Sequence, residues 1–405
     1  MRYWEHQKQL LKNRSFQFYL LSSIAGTFAS GLAYIVIIWL VVSFHPTLNA
    51  TLIGMILFWV PSLILSPYFG SIVDQYDRKK LIIIAESIRS IMFIVFGLFL
   101  LYQPDLWIVY LLLILSGCFA AFYQPLAPAF VHELVPMEQL VYANTNINMA
   151  YEFGNIIGRG IITVIALTFL GTYGALFLVG ILYFISTITI IPIQRHHTIE
   201  PINSSKNISL IQNIIDGYRY LFSNKELLSY GFVQAVILIG LMAAPVLVGP
   251  YVKIVLHAGN RIFGISEAAI SLGAIAGAFF WSYIANHVSN KICLVFASIL
   301  ASLSYLTLAN TINITYSLAA FLLLGFSWGS FSLIMSLVQT LTDKNYQGRV
   351  QASISMAVTI IFILFSVFLH IFDKNYNAQS AFMLLAFLCI FVFVGIITAQ
   401  KFKKT

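Results

Sequence analysis

Apolar residues along this chain come in blocks far longer than a soluble helix needs, each cut short by a few polar residues. Phe16 to Phe44 runs without a single charge. A helix needs about 20 mostly apolar residues to cross a bilayer at about 1.5 Å of rise per residue. On that measure the pattern predicts twelve spans, over residues 16–44, 51–73, 81–101, 107–131, 143–169, 173–193, 227–252, 262–285, 291–310, 316–341, 350–372 and 378–400. They form two sets of six. Between the sixth and seventh the chain turns polar, from Gln194 through His196, His197, Asn203, Ser204, Ser205 and Lys206 to Asn207. The expected divisions are therefore a first bundle over 1–193, a linker over 194–226 and a second bundle over 227–405. Late in the linker, Ile211, Ile214, Ile215, Tyr218 and Phe222 share one helical face, which predicts an amphipathic helix at the membrane surface over 208–223. Pro61, Pro67, Pro125, Pro128, Pro245 and Pro250 fall within spans, where they predict kinks.

Composition excludes an ordinary soluble protein: 60% of the residues are hydrophobic, 9% are charged, and 34 are phenylalanine. The formal net charge of +8 raises nucleic acid as a partner, so the placement of the cations decides. With the N-terminus cytoplasmic, seventeen of the 22 Lys and Arg fall on the inner side. The outer loops hold Lys253, Arg261 and Lys374, and Arg89 and Arg159 lie inside spans. That bias puts both termini in the cytoplasm and makes the lipid bilayer, not nucleic acid, the partner. The first apolar run is too long for a cleaved signal and reads as a retained helix. Cys118, Cys293 and Cys389 sit in apolar runs as small core hydrophobes. His196 and His197 lack a third ligand, so no metal is expected. No nucleophile and base stand at useful spacing, so no enzyme is expected either.

A charge at the centre of a span costs about 2.5–3.5 kcal/mol on insertion scales, so each one needs a reason. Span five carries Asn144, Asn148, Glu152, Asn155, Arg159 and Thr163 at steps of four, four, three, four and four, which puts all six on one face. Such a stripe either lines a water-filled cleft or stitches span five to its neighbours. In the cleft reading Asn148, Glu152, Asn155 and Arg159 meet the cargo. Arg159 would offer a planar, permanently charged fork to an anionic group, and Glu152 would carry a proton. The two lie about 10.5 Å apart along the axis. Glu86 and Arg89, three apart near the inner end of span three, read as a local pair buttressing that hairpin.

The charged turn Gly70-Ser-Ile-Val-Asp74-Gln-Tyr-Asp77-Arg78-Lys79-Lys80 resembles the loop signature of the major facilitator superfamily. Asp77 stands where a glycine is usual, a variant similar to the drug:proton antiporter-3 branch, which includes macrolide efflux proteins and enterobactin exporters. Ser282-Tyr-Ile-Ala-Asn286-His-Val-Ser289-Asn290-Lys291 holds the matching place in the second half, with Asn286 for the aspartate and Asn290 for the arginine. Pro136 to Thr145 answers Asn345 to Ser353 in the same way, and Asp216-Gly-Tyr-Arg-Tyr-Leu221 resembles the branch's central segment.

The resemblance implies an all-α membrane protein of two pseudo-symmetric six-helix bundles that works by alternating access. It implies a monomer in a bacterial inner membrane, a small-molecule substrate, and the proton gradient as driving force with no other cofactor. It also implies a cytoplasmic latch, in which Asp74, with Gly70 and Arg78 in its loop, meets the start of span eleven at Arg349. Two departures stand out. Span four lacks the arginine of many proton-coupled facilitators and offers Gln124 to the cleft. Gly158-Arg159-Gly160 replaces a glycine-proline pair, so a kinking residue has become a permanent cation. The expected activity is export of a small amphipathic solute: an acidic metabolite such as a carboxylate siderophore ranks level with a broad set of drugs. Import of an organic anion is the alternative, and a non-transporting receptor on the same fold is the rival from another class.

Overall fold

The computed structural model describes residues 10, 12–136, 139–194, 210–285, 287–343, 346–371 and 378–403. Among these residues all regular structure is helical. The linker positions His196, His197 and Asn203 to Asn207, the outer-loop Lys374 and the second-half Asn286 lie outside the described residues.

In chain order the helices are α1 (Arg14–Phe44), α2 (Leu48–Gln75), α3 (Arg78–Tyr102), α4 (Leu106–Leu134) and α5 (Leu140–Ile157). A π-helical turn, Gly158–Ile162, follows α5 and leads into α6 (Thr163–Phe169) and α7 (Gly171–Ile190). Next come α8 (Leu210–Ser223) and α9 (Lys225–Pro250), a second π-helical turn at Tyr251–Val255, then α10 (Asn260–Ile284) and α11 (Asn290–Asn310). The chain ends with α12 (Ile314–Trp328), α13 (Phe331–Leu341), α14 (Gln347–Ile371) and α15 (Ala378–Lys403). Eleven helical stretches among the described residues are long and apolar enough to cross a membrane. The twelfth predicted span is the 26-residue α15, whose described apolar stretch is the shorter Ala378–Val392.

The short polar breaks start the helices. Asp77 Oδ1 accepts from Lys80 N at 3.0 Å to open α3, and Asp105 Oδ1 accepts from Trp107 N at 3.0 Å to open α4. Asn224 does the same for Leu227 N at the head of α9, and Asn313 for Thr315 N and Tyr316 N at the head of α12. Each side-chain oxygen satisfies a backbone donor that the first helical turn leaves without a partner. The prolines are carried through: α2 continues past Pro61 and Pro67, and α4 past Pro125 and Pro128. Only Pro250 marks a break in regular winding, because the π-helical turn begins at the next residue.

The chain divides into two compact units, one of residues 1–44 and 57–205 and the other of 45–56 and 206–405. In the first, α1 is the hub: it packs on α7, α5 and α4, while α3 packs on α7 and α4. Small residues on α1 fall in two rows. Ser22 and Ser30 face α7, where Ser22 Oγ lies 2.9 Å from Ser186 Oγ and Ser30 Oγ lies 3.0 Å from Tyr183 Oη. Gly31 faces α5, where an added Cβ would lie only 3.0 Å from Asn155 O and Arg159 N. Close backbone approach of this kind replaces the hydrophobic effect that lipid cannot supply between helices. An apolar cluster built on Phe16, Tyr19, Ile82, Leu126 and Phe130 fills one end.

In the second unit α10 packs on α12, and α15 on α11 and α9. α8, the helix expected to be amphipathic, is docked against α14 and α9. Tyr218 Oη donates to Ser353 O at 3.0 Å, Tyr220 stacks on Tyr346 with ring centres 4.5 Å apart, and Arg349 Nη1 lies 3.6 Å from Asp216 Oδ2. Ile215 and Phe222 stay exposed beside this seam. Because the Arg349–Asp216 pair is about a third exposed on each side, Asp216→Asn should cost no more than about 1 kcal/mol. Gly217→Val should do more, since Gly217 lies against the α14 backbone at Arg349 and leaves no room for a side chain. Limited proteolysis of the linker checks this: Gly217→Val should be cut faster than the parent, and Asp216→Asn at nearly the parent's rate.

Candidate functional site

The polar face of α5 is held by its contact with α1. Gly31 on α1 and Gly158, the first residue of the π-helical turn after α5, let the two backbones meet; a Cβ on Gly158 would lie 2.7 Å from Phe28 O. Where α5 gives way to the π-helical turn, Arg159 projects with its guanidinium carbon 4.8 Å from the centre of the Tyr34 ring. Its Nε is buried and has no hydrogen-bond partner. A cation over an aromatic face is stabilised by about 0.5–2 kcal/mol, and it keeps its N–H donors for something else. Asn155, one turn earlier, is half-buried and donates Nδ2 to Tyr151 O at 3.1 Å.

Thr163 departs from the predicted stripe. It is buried, and its Oγ1 donates to Gly158 O at 2.8 Å, satisfying a carbonyl inside the wide turn. Hydrogen bonds of a π-helical turn span one residue more than those of an α-helix, so the face slips after Arg159. The side chains of Asn144, Asn148 and Glu152 lie outside the described residues. Gln124 on α4 is exposed.

The pair Glu86–Arg89 is present, with Arg89 Nη1 and Glu86 Oε1 3.3 Å apart, but it does more than brace a hairpin. Arg89 Nη2 donates to Ser30 Oγ on α1 at 2.9 Å and to Tyr183 Oη on α7, and its guanidinium lies 3.9 Å from the Tyr183 ring centre. Three helices of the first unit are tied at this point. Sequence spacing located Glu86 and Arg89 but not Tyr34, Ser30 or Tyr183. The available signal was the four-residue step Gly26, Ser30, Tyr34 along α1, which puts small or hydroxyl-bearing residues on one face.

Two residues of the predicted latch, Arg78 and Arg349, have partners in their own units. Arg78 Nη1 donates to Glu133 Oε1 at 3.3 Å and approaches Ala129 O at 3.4 Å. Arg349 meets Asp216 and lies 5.4 Å from the Tyr346 ring centre. The side chain of Asp74 lies outside the described residues, and Gly70 falls within α2.

In the second unit a small, mostly apolar cavity opens among α9, α11, α12 and α15. Gly240, Ser298, Tyr305, Trp328 and Cys389 line part of it.

Comparison with known proteins agrees with this architecture. The family model described as Major Facilitator Superfamily matches residues 18–366. An uncharacterized MFS-type transporter of Bacillus subtilis, YfiS, is 24% identical over 357 residues, covering 85% of this chain and 82% of its own. The enterobactin exporter EntS of Citrobacter koseri is 27% identical over 220 residues, 54% of this chain and 51% of its own. A multi-drug resistance efflux pump PmrA homolog of Lactococcus lactis is 23% identical over 317 residues, 76% of this chain and 75% of its own. Among solved structures the nucleoside transporter NupG superposes with a TM-score of 0.68 at 12% identity, covering 95% of this chain and all of its own. A family match over most of the chain, joined to two compact helical units and apolar helices of membrane-spanning length, makes this a multi-pass membrane transporter that belongs to the major facilitator superfamily.

Proposed function

We propose that this transporter exports a small amphipathic solute bearing an acidic group out of the cytoplasm across a bacterial inner membrane, driven by inward proton flow. The observation that carries the reading is Arg159: a permanent cation within a predicted span, seated over Tyr34, with a buried Nε that no group among the described residues satisfies. A carboxylate or catecholate on the cargo would accept from that fork. The functions of two relatives, enterobactin export and multidrug efflux, support a reading of outward transport, with acidic and broad-spectrum cargo both in view.

Coupling would run through carboxyls of the first unit, and Glu152 on α5 is the candidate from sequence. Glu152→Gln should abolish uphill export under an imposed pH gradient while sparing downhill exchange, because an amide cannot cycle a proton. Proteoliposome assays check this; full uphill transport by the variant would remove Glu152 from the coupling. The function as a whole is tested by accumulation in a strain deleted for the gene, using a catecholate siderophore and a neutral macrolide. The deletion should raise intracellular siderophore, and equal levels of both solutes in mutant and parent would sink the proposal.

A further inference from the structure

We infer that Glu86 and Arg89 form a proton-exchange site in the first unit, separate from the polar face of α5. Glu86 is fully buried, and its two oxygens are treated differently. Oε1 accepts from Arg89 Nη1 at 3.3 Å, whereas no group among the described residues meets hydrogen-bond geometry at the buried Oε2, the Tyr123 phenol being the further hydroxyl that approaches the carboxyl. An ion pair kept only for support would be expected to have both oxygens bonded, because a buried carboxylate left half-satisfied is costly. Here one oxygen is open to a proton.

Arg89 supplies the other half of the argument. Besides Glu86 it has Ser30 Oγ, Tyr183 Oη and two aromatic faces, Tyr183 at 3.9 Å and Tyr123 at 5.7 Å from its guanidinium carbon. Neutralising Glu86 therefore does not strand the cation, so both protonation states have a place in the same scaffold. The exchange balances simply: Glu86 Oε2 takes up one proton that a hydronium of the aqueous phase gives up as it becomes water, and release reverses the step while Arg89 stays charged throughout. The Arg89 side chain keeps 11% of its surface exposed, against none for Glu86. Facing the pair are Tyr19 from α1, Tyr123 from α4, Tyr151 from α5 and Tyr183 from α7. Of these phenols Tyr151 is exposed, whereas Tyr19 and Tyr183 are buried.

The role of this site in transport rests on the proton-driven reading above, and the experiment separates the two. Infrared difference spectra of the purified protein in lipid nanodiscs, titrated with pH alone, should show a protonated-carboxyl band that is lost in Glu86→Gln and kept in Glu152→Gln. Arg89→Lys should move its midpoint, since the charge stays while the contacts to Ser30 and Tyr183 change. If Glu86→Gln fails to fold, Glu86→Asp replaces it and should shift both band and midpoint. A carboxyl band with the same pH course in the parent and in the folded Glu86 variant would overturn the proposal, because a merely structural pair predicts that result. Export of carboxyfluorescein from proteoliposomes is measured in parallel. If the band depends on Glu86 while parent export ignores the imposed gradient, the exchange site stands and proton-driven export falls.

Discussion

Arg159→Ala is expected to weaken binding of an acidic solute by roughly ten- to hundredfold and to leave a neutral solute unchanged. A charge-assisted hydrogen bond shielded from water is worth about 1.5–3 kcal/mol, which sets that range. The geometry adds a second expectation. Because Tyr34 holds the guanidinium from one side at 4.8 Å, Arg159→Lys should retain the charge but lose the fork and part of the ring contact, giving weak, less selective binding. Binding of one acidic and one neutral solute to the purified variants decides the matter. An equal loss for both would mean that Arg159 shapes the helix and does not hold cargo. If Arg159 serves only to neutralise Glu152, the double change Glu152→Gln with Arg159→Gln should restore folding lost in either single variant, and cargo preference should not move.

The largest effect on stability is expected at the contact of α10 with α12. Gly273 and Gly277 on α10 face Leu322 and Phe326, while Gly325 on α12 and Gly329 at its C-cap face Ile270 and Gly277, so each glycine meets backbone atoms of the opposing segment. Trp281 Nε1 donates to Phe326 O at 2.8 Å and fixes one of the carbonyls that a side chain would strike. Backbone cannot swing away as a side chain can. Gly277→Val must therefore separate two helices along their length, at a cost of roughly 1–3 kcal/mol or more. The second unit should fail to assemble, seen as loss of monodisperse protein on size-exclusion chromatography in detergent. Gly259→Ala is the control, because an added Cβ there meets nothing within 4 Å. Parent-like yield and melting of Gly277→Val would show that the contact is slack.

The fold was legible because the bilayer forces it into the sequence: no other solvent demands twelve apolar runs of this length. Helix starts were legible at Asp77 and Asn313, where a short polar side chain precedes an apolar run. The site was legible only in part. Arg159 could be found because a charge in a span is costly, but its partner Tyr34 could not, since one aromatic residue in an apolar run carries no signal of what it faces. Thr163 was misplaced by counting α-helical steps through what is a π-helical turn, and nothing in Gly158-Arg159-Gly160 announces that the winding widens there. Glu86 and Arg89 were seen as neighbours on one helix. That they join α1 and α7 through Ser30 and Tyr183 depends on packing between segments about 60 and 90 residues away, beyond the reach of periodicity.

Lys79 carries a consequence for anyone who would re-thread this chain through a membrane. Its Nζ donates to Ile191 O at 2.7 Å and to Ile193 O at 2.9 Å, just past the C-terminal end of α7. The same ammonium thus counts toward the positive charge expected to orient the hairpin and also ties down the carbonyls where a helix more than a hundred residues later runs out. A charge-swap series meant to flip the topology would, at Lys79, also loosen the exit of α7, and a fallen yield would be misread as a topogenic effect. Lys80 is exposed, and only its backbone N–H enters the cap at Asp77, so it is the position at which orientation can be probed by itself.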